Sequence, residues 1–300
     1  MKRIRLAVVG FGRLGQQCAK DIRASEDLEL AGIVRRPESL GAPLPPELSK
    51  AAVAAHVSEL KDVAAALVCV PATHSLGVAL DLLRGGIPIA ECACYSGEAF
   101  RLRQAEIHRA ALRHRLPAIV GAGWDPGALS LFRCLLALLV PHGNTEIVRH
   151  PGTSLHHTLA AANVKGVKEA LASELRTAEG GLQRYVYVEL KARADAAEVE
   201  RAIRSDPLFL DEETQVFMVD SVAALESEGR GIVMERRAAA GSTGRFLVEA
   251  RFDQEEAAAR MMLAGARALP GCKPGAYSLL DLPPAALWGE LRGKTERDWL

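Results

Sequence analysis

The segment VVGFGRLG, residues 8–15, limits the possible folds of this chain more than any other stretch. It sets Gly10, Gly12 and Gly15 in a G-x-G-x-x-G spacing, directly after the β-rich run IRLAVV and at the opening of a helical pattern, RLGQQCAKDIRAS. A strand that turns tightly into a helix needs a residue without Cβ at the turn, which is Gly10. Gly12 then lets an anion approach the backbone, and Gly15 lets helix and strand pack closely. The helix start offers unpaired N–H groups and the positive end of its dipole to that anion. The spacing predicts a dinucleotide pyrophosphate site in which Gly10, Phe11, Gly12, Arg13, Leu14 and Gly15 take part; glycines serving only a turn are the plainer alternative.

The strand–helix rhythm continues to about residue 125. ELAGIVRR, AALVCVP, IPIAEC and PAIVGAG are β-rich runs, apolar at successive positions, and SGEAFRLRQAEIHRAALRHR reads as a helix before the last of them. Strands apolar on both faces belong to a parallel sheet covered by helices on each side. Residues 1–125 are therefore expected to form a doubly wound α/β domain. After a helix at GALSLFRCLLALLV the pattern changes, and RYVYVEL, GIVMERRA and RFLVEARF alternate like antiparallel strands with one wet face. Residues 126–270 are expected to form a second, α+β domain for substrate binding or dimerisation, with 271–300 returning to the first.

The second strand ends in VRRP, where an NAD site places an acidic residue against the ribose hydroxyls. Arg35 and Arg36 suit a 2′-phosphate instead and point to NADP, with a pair of solvated surface arginines as the alternative. CVPA ends another strand, and Val70, Pro71 and Ala72 fall where a loop passes the nicotinamide half of such a cofactor. Lys plus Arg and Asp plus Glu number 37 each, so charge gives no reason to expect nucleic acid or an acidic membrane surface. The longest apolar run, near CLLALLV, is far short of the ~20 residues that span a bilayer. The start, MKRIRLAVVG, is too briefly apolar for a signal peptide. Six irregularly spaced cysteines make no disulfide scaffold and fit a reducing cytoplasm.

GAGWDPG, residues 121–127, closes the first domain at the carboxyl end of a strand, where open α/β sheets bind their ligands. Asp125 there is suited to hold a substrate ammonium or move a proton during oxidation of an amine, and Trp124 to form an apolar wall. The alternative makes Asp125 a helix N-cap and Trp124 a core residue. ECAC, residues 91–94, raises a separate question about Cys92 and Cys94. No second Cys or His pair at zinc spacing accompanies them, so no metal is expected. A disulfide across two extended residues sits at its geometric limit. A catalytic thiolate needs a cationic neighbour, such as His156 or His157. The remaining reading is two small side chains that reshape a pocket.

AVVGFGRLG, ELAGIVRRP, GAGWDPG, VKGVKEAL, YVYVEL and GIVMERR, in this order, resemble the meso-diaminopimelate dehydrogenases over nearly the whole chain. The resemblance implies a Rossmann-type doubly wound parallel sheet plus a substrate and dimerisation domain, in a cytoplasmic homodimer. It implies an NADP-dependent enzyme of amino-acid metabolism, placed in lysine biosynthesis, that deaminates the D-configured centre of a diamino dicarboxylate oxidatively or runs the reverse reductive amination. Trp124 and Asp125 would then belong to the reacting pocket. Arg184 matches a family arginine that grips the distal carboxylate, a task suited to a guanidinium fork.

Several positions depart from the family pattern. ECAC replaces a D-S-F-D type segment, so an aspartate beside the reacting amino group falls on Cys94. A threonine becomes Glu174, a distal histidine becomes Arg230, and a T-H-N type segment shortens to GSTGRF. RHPGTSLHHT, with His156 and His157, stands where the family has a glycine-rich loop of small and apolar residues. The alternatives to a diaminopimelate enzyme are a dehydrogenase for another amino or keto acid, or a non-catalytic NADP-binding sensor or dimer.

Overall fold

A computed structural model describes residues 3–288 except 150–151, 154, 177–181, 211–212, 228–230, 240–243 and 252. The chain divides into two compact units, Met1–Leu135 with Gln254–Leu300, and Leu136–Asp253.

The first unit begins with β1 (Ile4–Val9), α1 (Arg13–Ala24), β2 (Leu28–Val34), β3 (Val53–Ala54), β4 (Ala65–Val68) and α2 (Ala72–Arg84). It continues through β5 (Ile89–Glu91), α3 (Gly97–His114), β6 (Pro117–Ile119) and the start of α4 (Leu129–Leu139). Its strands form one parallel sheet with the order β6-β5-β4-β1-β2-β3, so the order reverses between β1 and β4. This is a doubly wound Rossmann-like fold, in which ligands bind outside the strand ends at the reversal.

The two-faced burial expected of such strands is visible within β1. Leu6 and Val8 join a core with Cys18, Ala19 and Ile22 of α1, while Ala7 and Val9 point the other way, into a core with Leu82, Leu83 and Ile107 of α2 and α3. Leu6 and Ile22 are wholly buried, and truncation of such a side chain to Ala typically costs about 2–5 kcal/mol.

In the second unit, α4 ends and is followed by β7 (Gly143–Arg149), β8 (Gly152–Thr153), α5 (Leu155–Ala162), β9 (Val167–Arg176) and β10 (Leu182–Leu190). Then come α6 (Ala196–Ser205), β11 (Glu213–Val219), α7 (Val222–Ser227), β12 (Gly231–Ala238) and β13 (Arg245–Arg251). The strands make two sheets, β11-β10-β9-β8 and β13-β12-β7. RYVYVEL and GIVMERRA therefore lie in different sheets, β10 and β12. The antiparallel expectation also needs a correction, since β10 and β11 pair in parallel. Helix α6 is the crossover between them, and a parallel return needs such a connection. The remaining pairs are antiparallel.

The expected boundary at residue 270 also shifts. Helix α8 (Gln254–Ala268) and strand β14 (Gly275–Tyr277) both belong to the first unit, followed by α9 (Pro284–Leu287). Ala259, Met262, Leu263 and Ala266 bury one face of α8 in the same core as α1. β14 extends the sheet by pairing in parallel with β6. Arg267 of α8 clamps Asp27 along one guanidinium edge, from Nε at 2.8 Å and Nη2 at 3.0 Å, which holds the Asp27 carboxyl below its ordinary pKa.

Candidate active site

The tight turn after β1 is built as its glycines require. Gly10 has φ +93°, and a Cβ on it would lie 2.7 Å from the carbonyl oxygen of Cys69. A Cβ on Gly15 would lie 2.1 Å from the Gly10 carbonyl oxygen, so α1 leaves the strand at backbone contact. Gly12 is the N-cap of α1 and differs from both, because a Cβ there would meet no atom within 4 Å. Open space over that glycine is where a pyrophosphate would meet the backbone.

This loop borders a cleft of about 1100 Å³ at the strand-order reversal. Gly10, Phe11, Gly12, Arg13, Leu14, Arg35, Arg36, Val70 and Pro71 all line it. Gly15 and Ala72 do not; Gly15 lies under the loop, and the Ala72 carbonyl accepts the Tyr95 hydroxyl at 3.1 Å. The cleft is large enough for a dinucleotide, carries two arginines past β2, and presents no carboxylate at the ribose end of that strand. Its residues therefore fit a phosphorylated dinucleotide.

Arg35 and Arg36 do not do the same work. The Arg35 guanidinium lies 4.3 Å from the centroid of the Phe11 ring and donates to the Ala42 carbonyl at 2.8 Å. Arg36 is 81% exposed at its side chain and meets Glu38 loosely, at 3.4 Å. One arginine is fastened to the wall and the other stands ready at the rim. Glu255 of α8 also lines the cleft, paired with Arg13 at 3.1 Å. No local sequence signal pointed to Glu255, which comes from the far end of the chain.

At the carboxyl end of β6, the wide turn Trp124–Ala128 precedes α4. Trp124 is buried, and the Asp125–Pro126 peptide is cis. The Asp125 carboxylate accepts from Arg133 Nη1 at 3.1 Å, a cross-turn ion pair with the helix that follows. Cys92 and Cys94 follow β5; Cys92 is half-buried and Cys94 exposed. Burial, with the Glu91 charge added, pushes the Cys92 thiol far up in pKa, which argues against a thiolate there. All six cysteines are free, and the sulfurs of Cys18 and Cys69 lie 3.9 Å apart. No group of three His, Cys, Asp or Glu side chains among the described residues is placed to hold a metal ion.

In the second unit Arg184 lies on β10 with only 1% of its surface exposed. Its Nη1 donates to the Leu208 carbonyl at 3.2 Å, and its guanidinium lies 5.6 Å from the Phe209 ring centroid. His157 Nε2 meets the same carbonyl at 3.1 Å. Glu174 pairs with Arg184 in the β9–β10 register, and His156 lies on α5; the side chains of both are outside the described residues. Arg230 and residues 241–243 of GSTGRF are outside them as well. Among the described residues, no helix is long and apolar enough to cross a membrane.

No protein-family model matches the chain. Individual relatives do. Meso-diaminopimelate D-dehydrogenase of Bacteroides fragilis is 35% identical over 285 residues, covering 94% of each chain. The chain belongs to the meso-diaminopimelate D-dehydrogenase family. The Corynebacterium glutamicum enzyme of that name is 28% identical over 254 residues, covering 77% of this chain and 76% of its own. Solved structures agree on the fold. An engineered D-amino acid dehydrogenase bound to NADP+ superposes with a TM-score of 0.65 at 23% identity, covering all of both chains. The C. glutamicum DAP dehydrogenase in complex with DAP gives 0.64 at 24%, again over both full lengths.

Proposed function

We propose that this family member is an NADP-dependent dehydrogenase that oxidatively deaminates the D-configured centre of an amino acid, or reductively aminates the matching 2-keto acid. The observation that carries the reading is the cleft at the strand-order reversal, where Gly12 leaves room for a pyrophosphate and Arg36 stands exposed at the ribose end. NADP supplies a hydride acceptor in one direction and a donor in the other. The chain's part is to orient and to exclude water. The α1 N-terminus and the loop from Gly10 to Leu14 hold phosphate, and Arg36 pairs with the 2′-phosphate. Trp124 walls the reacting carbon, and Asp125, steadied by Arg133, holds the substrate amino group and takes up its proton. The overall change is amino acid, NADP+ and water to keto acid, ammonium, NADPH and a proton.

Meso-diaminopimelate, named in the relatives, is the first substrate to try. Cys94 favours a second reading, a simpler amino or keto acid, because a thiol accepts hydrogen bonds weakly where the family places a carboxylate. In both readings residues 136–253 serve substrate binding and dimerisation, with Arg184, Glu174, Arg230 and His156 as the candidate substrate residues. The free thiols suit a cytoplasmic homodimer kept reduced. The test is NADPH oxidation with ammonia and a panel of 2-keto acids, alongside NADP+ reduction with meso-diaminopimelate and D-amino acids. Turnover on any of these, with NADPH preferred to NADH, supports the reading. NADPH binding without turnover on the whole panel would replace it with a cofactor-binding sensor.

A further inference from the structure

Glu91 ends β5 with none of its surface exposed. Its carboxylate gathers four contacts. The backbone N–H of Ala93 donates to Oε2 at 2.9 Å and that of Gly121 to Oε1 at 3.1 Å. Arg103 of α3, only 6% exposed, donates from Nη2 to Oε2 at 3.2 Å and from Nε to Oε1 at 3.5 Å. The same Nη2 donates to Ser75 Oγ at 2.6 Å, and the guanidinium lies 5.0 Å from the Tyr95 ring centroid. Tyr95 in turn donates its hydroxyl to the Ala72 carbonyl at 3.1 Å.

These contacts fall on three separate segments that leave the sheet side by side. Residues 69–75 follow β4, residues 92–95 follow β5, and residues 120–127 follow β6. The last two are also knit directly, since the Ala122 N–H donates to the Glu91 carbonyl at 2.7 Å and a Cβ on Gly123 would lie 3.1 Å from the Cys92 Cβ. Val70 and Pro71, the segment with Cys94, and the turn with Trp124 and Asp125 thus share one buried anchor. The glycine loop, Arg35 and Arg36 take no part in it.

We propose that Glu91 and Arg103 are positioning residues for the reaction: a buried ion pair that sets the three segments around the reacting centre without touching substrate or cofactor. This rests on the dehydrogenase reading above. An ion pair kept only for stability is replaceable by apolar residues of similar size. A positioning pair is not, because displacing reacting groups by about 1 Å costs on the order of 100-fold in rate.

Two variants test it. Arg103→Lys keeps the charge but lacks the fork that reaches Glu91 and Ser75 together. The double variant Glu91→Leu, Arg103→Met leaves no charge buried without a partner and guards against a fold lost in the single one. In each, turnover number, KM for the keto acid and NADPH affinity by fluorescence titration are read beside hydrogen exchange. The expected result is a turnover number lower by on the order of 10–100-fold, NADPH affinity within about threefold, and faster exchange confined to residues 69–75, 92–95 and 120–127. Unchanged turnover in a folded variant overturns the proposal, as does loosening spread over the whole first unit. Should the native protein turn over nothing, the dehydrogenase reading fails by itself. Exchange and NADPH titration then decide the anchor alone, with confined loosening for it and unchanged exchange against it.

Discussion

The carboxyl edge of the parallel sheet is made in two different ways on either side of the strand-order reversal. On the β1–β2 side the strands end in a glycine loop, in Arg35 fastened to the wall and in Arg36 at the rim, and the groups suited to the pyrophosphate are backbone N–H. On the β4–β6 side the ends are filled with side-chain chemistry: thiols at Cys69 and Cys92, a buried Glu91–Arg103 pair, and Asp125 held by Arg133. Backbone donors suit a ligand portion shared by many enzymes, because a phosphate needs only dipoles and room. Selecting one small substrate needs placed side chains, and each of these must be fixed by a neighbour. The first side therefore tolerates variation around its glycines, and the second tolerates little.

The sharpest way to break this contrast is Asp125→Asn. Asparagine keeps the shape and the contact distance to Arg133 but neither pairs with an ammonium nor takes a proton. Turnover should fall by about 10²–10⁴-fold, with NADPH affinity unchanged in fluorescence titration. Near-normal turnover would remove Asp125 from the chemistry and return it to a structural part in the turn before α4.

Gly15→Ala attacks the other side. Its Cβ would lie 2.1 Å from the Gly10 carbonyl oxygen, a backbone clash that no side-chain rotation relieves. The expected loss is about 3 kcal/mol of stability, seen as a lower Tm, together with weaker NADPH binding. Gly12→Ala is the control, since nothing lies within 4 Å of its added methyl. There Tm should hold while NADPH affinity falls, separating the glycine that packs from the glycine that binds.

How much of this was legible in the sequence follows the same divide. The β1–α1–β2 unit could be read because glycine spacing states a backbone requirement, and backbone requirements are local. Buried strands β4, β5 and β6 showed as apolar runs for a similar reason. The two-residue β3 offers no pattern to detect. β14, in the tail expected to return to this domain, becomes a strand by pairing with β6. Helix α8 belongs to the first unit without any local sign of it, because its burial against Cys18, Ala19 and Ile22 is decided by partners more than two hundred residues away. The Glu91–Arg103 pair leaves no mark in the sequence: one sits on a strand, the other on a helix, and nothing in their spacing shows that they meet. The resemblance drew attention to Cys94 and Arg184, but it carried no information on the burial of Arg184 beside Leu208 and Phe209.

A finer split lies within the arginine pair. Arg36 is exposed and Arg35 is fastened to Phe11 and to the Ala42 carbonyl. Arg36→Ala should therefore cost about 1.5 kcal/mol of NADPH affinity and leave NADH affinity unchanged. Arg35→Ala should weaken both cofactors alike, because it loosens the wall that each of them touches. Titration of both variants with both cofactors checks this. Selective loss of NADPH binding in Arg35→Ala would reverse the assignment.

The smallest effect concerns Glu255, a carboxylate on the lining of a cleft suited to an anionic ligand. Its pairing with Arg13, whose side chain is 89% exposed, neutralises it while holding that cation off the ligand. Glu255→Gln removes the repulsion and releases Arg13 toward phosphate, so NADPH affinity should rise by about two- to fivefold, in line with the value of an exposed ion pair, below ~1 kcal/mol. Because these charges face solvent, the gain should fade in about 1 M salt, where the screening length is near 3 Å. Stability should move the opposite way. Glu255 lies in the first turn of α8, where a negative charge favours the helix dipole by about 0.3–1 kcal/mol. A variant that binds NADPH more tightly at low salt and melts slightly earlier fits the argument. Weaker binding at low salt would mean that Glu255 orients Arg13 for the ligand, and the rim of the backbone-built side would then depend on a fixed side-chain pair, as the other side does.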